Sequence, residues 1–136
     1  MKTFVLHASV ALGWTRDNPV PQLQLERSRI YCPGPGALAP SLWHLEIANG
    51  LGVAERRGII TSSDATLALL QLKQLCTQAL DIEADIVPMR QAFTTAHTYQ
   101  LLAYDSVYLD LALRVRLPLA TPLRKAAGKV GVELLR

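Results

Sequence analysis

The strongest constraint on this chain is an alternation of periods. Short uninterrupted apolar runs give way repeatedly to stretches in which apolar side chains recur every third or fourth residue. The first kind suits a strand buried on both faces, the second a helix with one covered face. Thr3-Phe4-Val5-Leu6 reads as such a strand, and the small apolar residues from Ala8 to Trp14 begin a helix behind it. Pro40 and Ser41 open a helix in which Trp43, Ile47, Gly50, Leu51 and Ala54 form one stripe; Glu55, Arg56 and Arg57 end it, and Gly58 is its stop. Ser63 and Asp64 are expected to cap a helix from Ala65 to about Gln78, with Leu67, Leu70 and Leu75 on its apolar face. Ile82–Val87 interleaves charges with apolar residues as a strand does, and Pro88 starts a helix running to about Thr98. Tyr104, Val107, Tyr108, Leu111, Ala112 and Val115 mark the clearest amphipathic helix. Leu117–Thr121 is a short strand, followed by a basic helix and a last strand at Val130–Leu135. Strands that alternate with helices imply an α/β fold, a parallel sheet covered on both faces.

Residues 16–40 break the pattern. Pro19, Pro21, Pro33, Pro35 and Pro40, with Gly34 and Gly36, predict a long surface loop holding at most a short helix around Gln22–Arg29. No linker divides the chain, and 136 residues suit one domain spanning 1–136. With 50% hydrophobic and 18% charged residues, a core can form and a chain disordered throughout is not expected. Cys32 and Cys76 are too few for a disulfide framework or a four-cysteine zinc site, and with no CxxC spacing or paired base they read as inert thiols. His7 interrupts the Phe4–Leu6 run before it reaches secretory length, and Glu46 interrupts the run from Leu45 to Ala54, so a cytoplasmic protein with no membrane span is expected. Residues 114–136 hold six basic residues against Glu133 alone. This basic end either meets phosphates or is a solvated helix end.

In open α/β sheets, ligands gather at the carboxyl ends of the strands. His7 directly follows the first strand, and Asp105 falls in the first turn of the Tyr104 helix, where the helix dipole favours a carboxylate. Glu46 shares its helical strip with Leu42, Gly50 and Val53, so its carboxylate needs a cation or donor. Each has a plainer reading: a buried salt bridge for Glu46, a first-turn charge for Asp105, a packed imidazole for His7. His44 and His97 have no motif partner. Asp110 lies well round the helix from Asp105 and is not expected to share a site, and Asp81, Glu83 and Asp85 read as a solvent face.

Four blocks carry a family resemblance, the second and third of them in order and at the right separation: Phe4-Val5-Leu6-His7-Ala8-Ser9-Val10, Pro40-Ser41-Leu42-Trp43-His44-Leu45-Glu46-Ile47-Ala48-Asn49, Tyr104-Asp105-Ser106-Val107-Tyr108-Leu109-Asp110-Leu111-Ala112 and Leu117-Pro118-Leu119-Ala120-Thr121. The chain resembles the PIN-domain ribonucleases of the VapC toxin type over most of its length, residues 16–36 excepted. The resemblance implies a three-layer α/β/α domain with a central parallel sheet that cuts RNA using Mg²⁺ or Mn²⁺, pairs with a small antitoxin protein and forms a homodimer. It implies that Glu46 and Asp105 are the catalytic, metal-holding acids. The family acid at the end of the first strand is replaced by His7, and the one after the threonine of the last block by Leu123. Ser9 and Thr121 match family positions that can bind a metal-bound water. Clustered carboxylates must be offset by cations, and Mg²⁺ gives up water reluctantly, so the loss of two acids predicts weak Mg²⁺ binding and impaired activity. A His–Glu–Asp set suits Mn²⁺, Zn²⁺ or Ni²⁺ better. The alternative is a catalytically inactive paralogue that binds protein or RNA.

Overall fold

The computed structural model describes residues 4–16, 36–84 and 86–120. The expected loop through 17–35, Cys32, Asp85, Thr121, Leu123, the basic helix and the last strand lie outside these residues. In chain order the elements are β1 (Phe4–Leu6), α1 (Ala8–Arg16), β2 (Ala37–Pro40), α2 (Trp43–Arg56), α3 (Ser62–Gln78), β3 (Leu80–Glu83), α4 (Met89–Tyr99), α5 (Ala103–Val115) and β4 (Leu119–Ala120).

The four strands form one parallel sheet in the order β3-β2-β1-β4. The helices surround it in a three-layer α/β/α arrangement. Phe4, Val5 and Leu6 are buried to the last atom or nearly so, as an uninterrupted apolar strand in a two-sided parallel sheet must be. They pack with Trp43, Ile47 and Leu51 of α2, Leu72 and Leu75 of α3, and Tyr108, Leu109, Leu111 and Ala112 of α5. At roughly 1.5–3 kcal/mol for each large side chain removed from water, this shared cluster is what holds the layers together.

Several expectations shift. The proline-rich stretch expected to be loop as far as residue 40 contains β2, a central strand flanked by β1 and β3. Alanine and proline carry no strand preference, so Ala37-Leu38-Ala39-Pro40 is a strand because of its two neighbours and its burial. Gly36 makes the approach possible. Its φ is +89°, and a Cβ there would lie 2.0 Å from the carbonyl oxygen of Ala79, which accepts the Ala37 N–H at 2.7 Å. The helix expected from Pro40 and Ser41 begins instead at Trp43. Gly58 does stand just beyond α2 with φ +71°, as a stop glycine should.

The cap of α3 is Thr61 rather than Ser63 and Asp64. Its hydroxyl accepts from the Asp64 N–H, and the Asp64 carboxylate accepts from the Thr61 N–H, a reciprocal capping box. The buried face of α3 is Ala65, Ala68, Leu72 and Leu75; Leu70 is exposed, because five residues after Ala65 it points well round the helix from that face. β3 is Leu80–Glu83, beginning two residues before the expected Ile82–Val87 and ending four residues before it does. Glu83 is partly buried and accepts both guanidinium N–H groups of Arg114, so it is an ion-pair member and not part of a solvent face. On α5 the covered surface is wider than the expected stripe: Ser106 and Leu109 are buried, whereas Tyr104 is open. The reason is that α5 packs on both the sheet and α4. Ser106 donates to the Ala103 carbonyl at 2.6 Å with the Ala92 carbonyl also in reach at 3.3 Å, and Thr95 donates to the Asp110 carboxylate at 3.0 Å.

Candidate functional site

β4 lies on the far side of β1 from β2, so the chain reverses its direction of progress across the sheet beside β1. A crevice opens at the carboxyl end of the strands at such a point. The residue leaving β1 there is His7, whose N–H donates to the Ala120 carbonyl of β4 at 3.0 Å. α1 begins at the next residue, and Glu46 and Asp105 stand in the first turns of α2 and α5. Helix N-termini favour anions, which lowers the cost of gathering two carboxylates.

His7, Glu46 and Asp105 converge as their strand-end positions anticipate. One potential ligand atom from each lies within 4.8 Å of the others, and together they form a cluster able to hold a metal ion. His7 is buried, and Glu46 and Asp105 are half-buried. His7 Nε2 is 3.0 Å from Asp105 Oδ1. On the other side of the ring, the Ser9 backbone N–H donates to Nδ1 at 3.1 Å, with the Ser9 hydroxyl 2.7 Å from the same nitrogen. A backbone N–H can only donate, so Nδ1 accepts. In neutral imidazole the proton then sits on Nε2 and is donated to Asp105. The tautomer is fixed by the chain itself.

Tyr108, taken in the sequence for an apolar stripe member, completes the floor. It lies one turn after Asp105 on α5, and its ring centroid is 4.2 Å from that of His7. Its hydroxyl approaches Glu46 and the Ala8 N–H without closing a hydrogen bond of good geometry. The Tyr108 hydroxyl and Glu46 Oε1 are both buried and unpartnered. Burial first, then the Glu46 carboxylate, pushes the phenol far above its ordinary range. Burial likewise raises the Glu46 pKa; the Tyr108 hydroxyl and the nearby His7 oppose this, and Asp105 adds to it. The spacing of Tyr108 from Asp105, three residues on one helix face, was the available sequence signal for its membership.

The other candidates separate as the sequence suggested. His44 and His97 are exposed, the latter stacked on Phe93 with ring centroids 6.0 Å apart. Asp110 faces Thr95 of α4 and not the cluster. Burial raises the pKa of the Cys76 thiol, as befits an unreactive cysteine. Ser9 holds His7. Among the described residues, no helix is long and apolar enough to cross a membrane. No family model matches the chain, and no curated protein matches it.

The donor set tests the metal expected from the family. Two carboxylates within reach of each other, one with a buried oxygen that receives no hydrogen bond, fit a divalent cation. His7 fits less well. A metal on Nε2 would need the proton moved to Nδ1, where the Ser9 hydroxyl can accept it but the Ser9 N–H faces it.

Proposed function

We propose that this chain is a PIN-like domain of the VapC type, with an ancestry in metal-dependent endoribonucleases, whose residual site binds a divalent ion and cleaves RNA weakly. The carrying observation is the meeting of His7, Glu46 and Asp105 within 4.8 Å at the carboxyl end of β1. Glu46 and Asp105 would hold Mg²⁺ or Mn²⁺, with His7 a third ligand only after its proton is displaced. A bound ion supplies Lewis-acid stabilisation of the phosphate transition state and a more acidic water. The chain's own residues orient the site: Ser9 fixes the His7 ring, Nε2–H holds Asp105, and Tyr108 walls the carboxylates from bulk water. In this reading the protein works in the cytoplasm, with RNA as substrate and a small antitoxin and a second copy of itself as partners.

The test is cleavage of single-stranded RNA by the full chain with Mg²⁺ or Mn²⁺ present, alongside Glu46→Gln. Metal-dependent cleavage that Glu46→Gln abolishes supports the reading. A specific observation favours a second one: both ring nitrogens of His7 are already engaged within the chain, which suits an inactive paralogue that binds RNA or protein. RNA binding without cleavage, and without a metal-induced rise in melting temperature, selects that second reading. Absence of cleavage, metal binding and RNA binding alike overturns both as they concern RNA.

A further inference from the structure

Beside the cluster lies a cleft of about 410 Å³ lined by Leu42, Leu45, Glu46, Asn49 and Tyr104. Leu42, Leu45, Glu46 and Asn49 follow one another along one face of the start of α2, and Tyr104 stands opposite them in the first turn of α5. We infer that this cleft receives a nucleobase of single-stranded RNA, stacked on Tyr104 and read at its edge by Asn49. The inference rests on the RNA reading above and adds the determinant of base preference.

Continuity is the first argument. Glu46 belongs both to the cleft and to the metal-competent cluster, so a group seated here adjoins the position where a phosphodiester would react. Charge is the second. Among the described residues the lining includes a carboxylate and no cation, so a phosphate is disfavoured beside them, whereas an uncharged heterocycle is accepted. Shape and chemistry are the third. Tyr104 is 64% exposed and Leu45 75%, two large apolar surfaces that the fold leaves open on either side of the cleft. An open aromatic ring is the platform on which nucleobases stack whatever their identity. The exposed Asn49 amide offers one donor and one acceptor side by side, the pattern that pairs with adenine at N7 and N6. Uracil offers a pair of the same kind at N3–H and O4, so the amide holds either base, and adenine should be preferred through the larger face that it stacks on Tyr104.

The experiment is fluorescence anisotropy of end-labelled oligoadenylate and oligouridylate with the full chain at low salt, in chelator so that cleavage does not intervene. Tyr104 and Asn49 are exposed, so Tyr104→Ala, Tyr104→Phe and Asn49→Ala should all fold, which circular dichroism checks. Tyr104→Ala should weaken oligoadenylate binding by roughly 5- to 150-fold, the range of one lost base stack, and Tyr104→Phe should restore it. Tyr104→Ala should also narrow the preference for oligoadenylate over oligouridylate, and Asn49→Ala should weaken the binding of both. Unchanged binding in Tyr104→Ala, or equal loss in Tyr104→Ala and Tyr104→Phe, overturns the inference and leaves the RNA reading standing. Failure of the unaltered chain to bind either oligonucleotide overturns the RNA reading, and the inference with it.

Discussion

Replacing His7 with an acid separates a site held together by a proton from one held together by a metal. In the native chain the His7 imidazole faces Asp105 through Nε2 at 3.0 Å. His7→Asp removes that hydrogen bond, worth about 1.5–3 kcal/mol when one partner is charged. It also places a third carboxylate among atoms that lie within 4.8 Å of one another. At that distance each new like-charge pair costs about 3.5 kcal/mol at an effective dielectric constant of about 20. The cluster need not bear both pairs, because protonating one carboxylate at pH 7 costs only about 4 kcal/mol from its ordinary pKa. The expected loss of stability is therefore about 5.5–7 kcal/mol at pH 7 without divalent ions, the smaller of the two costs plus the hydrogen bond. Near pH 5 it should shrink to about 3–4.5 kcal/mol, since the proton then costs only about 1.5 kcal/mol.

His7→Asn serves as the uncharged control, losing the imidazole but adding no anion. Urea unfolding of all three proteins at pH 5 and pH 7 isolates the charge effect as the difference between the two variants. Mg²⁺ at a hundredfold excess over its dissociation constant should return about 2.7 kcal/mol to His7→Asp, and much less to the native chain. Equal stability of His7→Asp and His7→Asn at both pH values would refute the convergence of charges on which the site rests. A pH effect without any response to Mg²⁺ would leave the convergence intact and remove the metal.

Two further outcomes follow from the same coordinates. Burial raises the Glu46 pKa, so the folded chain holds this proton more tightly than the unfolded chain. The Glu46 contribution therefore favours folding at acid pH and fades as pH rises from its ordinary value through the raised one. Glu46→Gln should gain in stability relative to the native chain across that window as pH rises, and a ratio of unfolding constants independent of pH would contradict it. Gly36→Ala should destabilise by about 3 kcal/mol or more, combining about 1–2 kcal/mol for a side chain in the left-handed region with displacement of the Ala79 carbonyl, which cannot move without breaking the β2–β3 approach; a melting temperature within a degree or two of native would show that β2 tolerates the shift.

The sequence carried the sheet's logic better than its members. β1 was legible as an uninterrupted apolar run and α4 from the Pro88 that opens it, whereas α2 and α5 were legible because each keeps one period over several turns. β2 was hidden because nothing in Ala37-Leu38-Ala39-Pro40 favours a strand; only β1 and β3 on either side make it one. The place to find its trace was Gly36, whose lack of a side chain is required by a carbonyl from another element. The displacement of the α3 cap has a similar cause. Ser63 and Asp64 are good capping residues, but Asp64 fulfils that preference from the third helical position by holding the Thr61 N–H.

The site was legible as positions and not as bonds. His7, Glu46 and Asp105 could be placed because strand ends and helix first turns are fixed by the fold class, and the acids' cost of burial marks them as needing a partner. What the partner is depends on angles that no spacing encodes. Ser9, two residues after His7, settles the matter locally: its N–H leaves Nδ1 only the role of acceptor, so the Nε2 proton faces Asp105 in the place where a cation would serve. A divalent ion in the pit would compete with that proton for Asp105. The unpartnered Glu46 oxygen is the part of the site that the proton leaves unserved, and it is there that a metal retains a physical reason to bind.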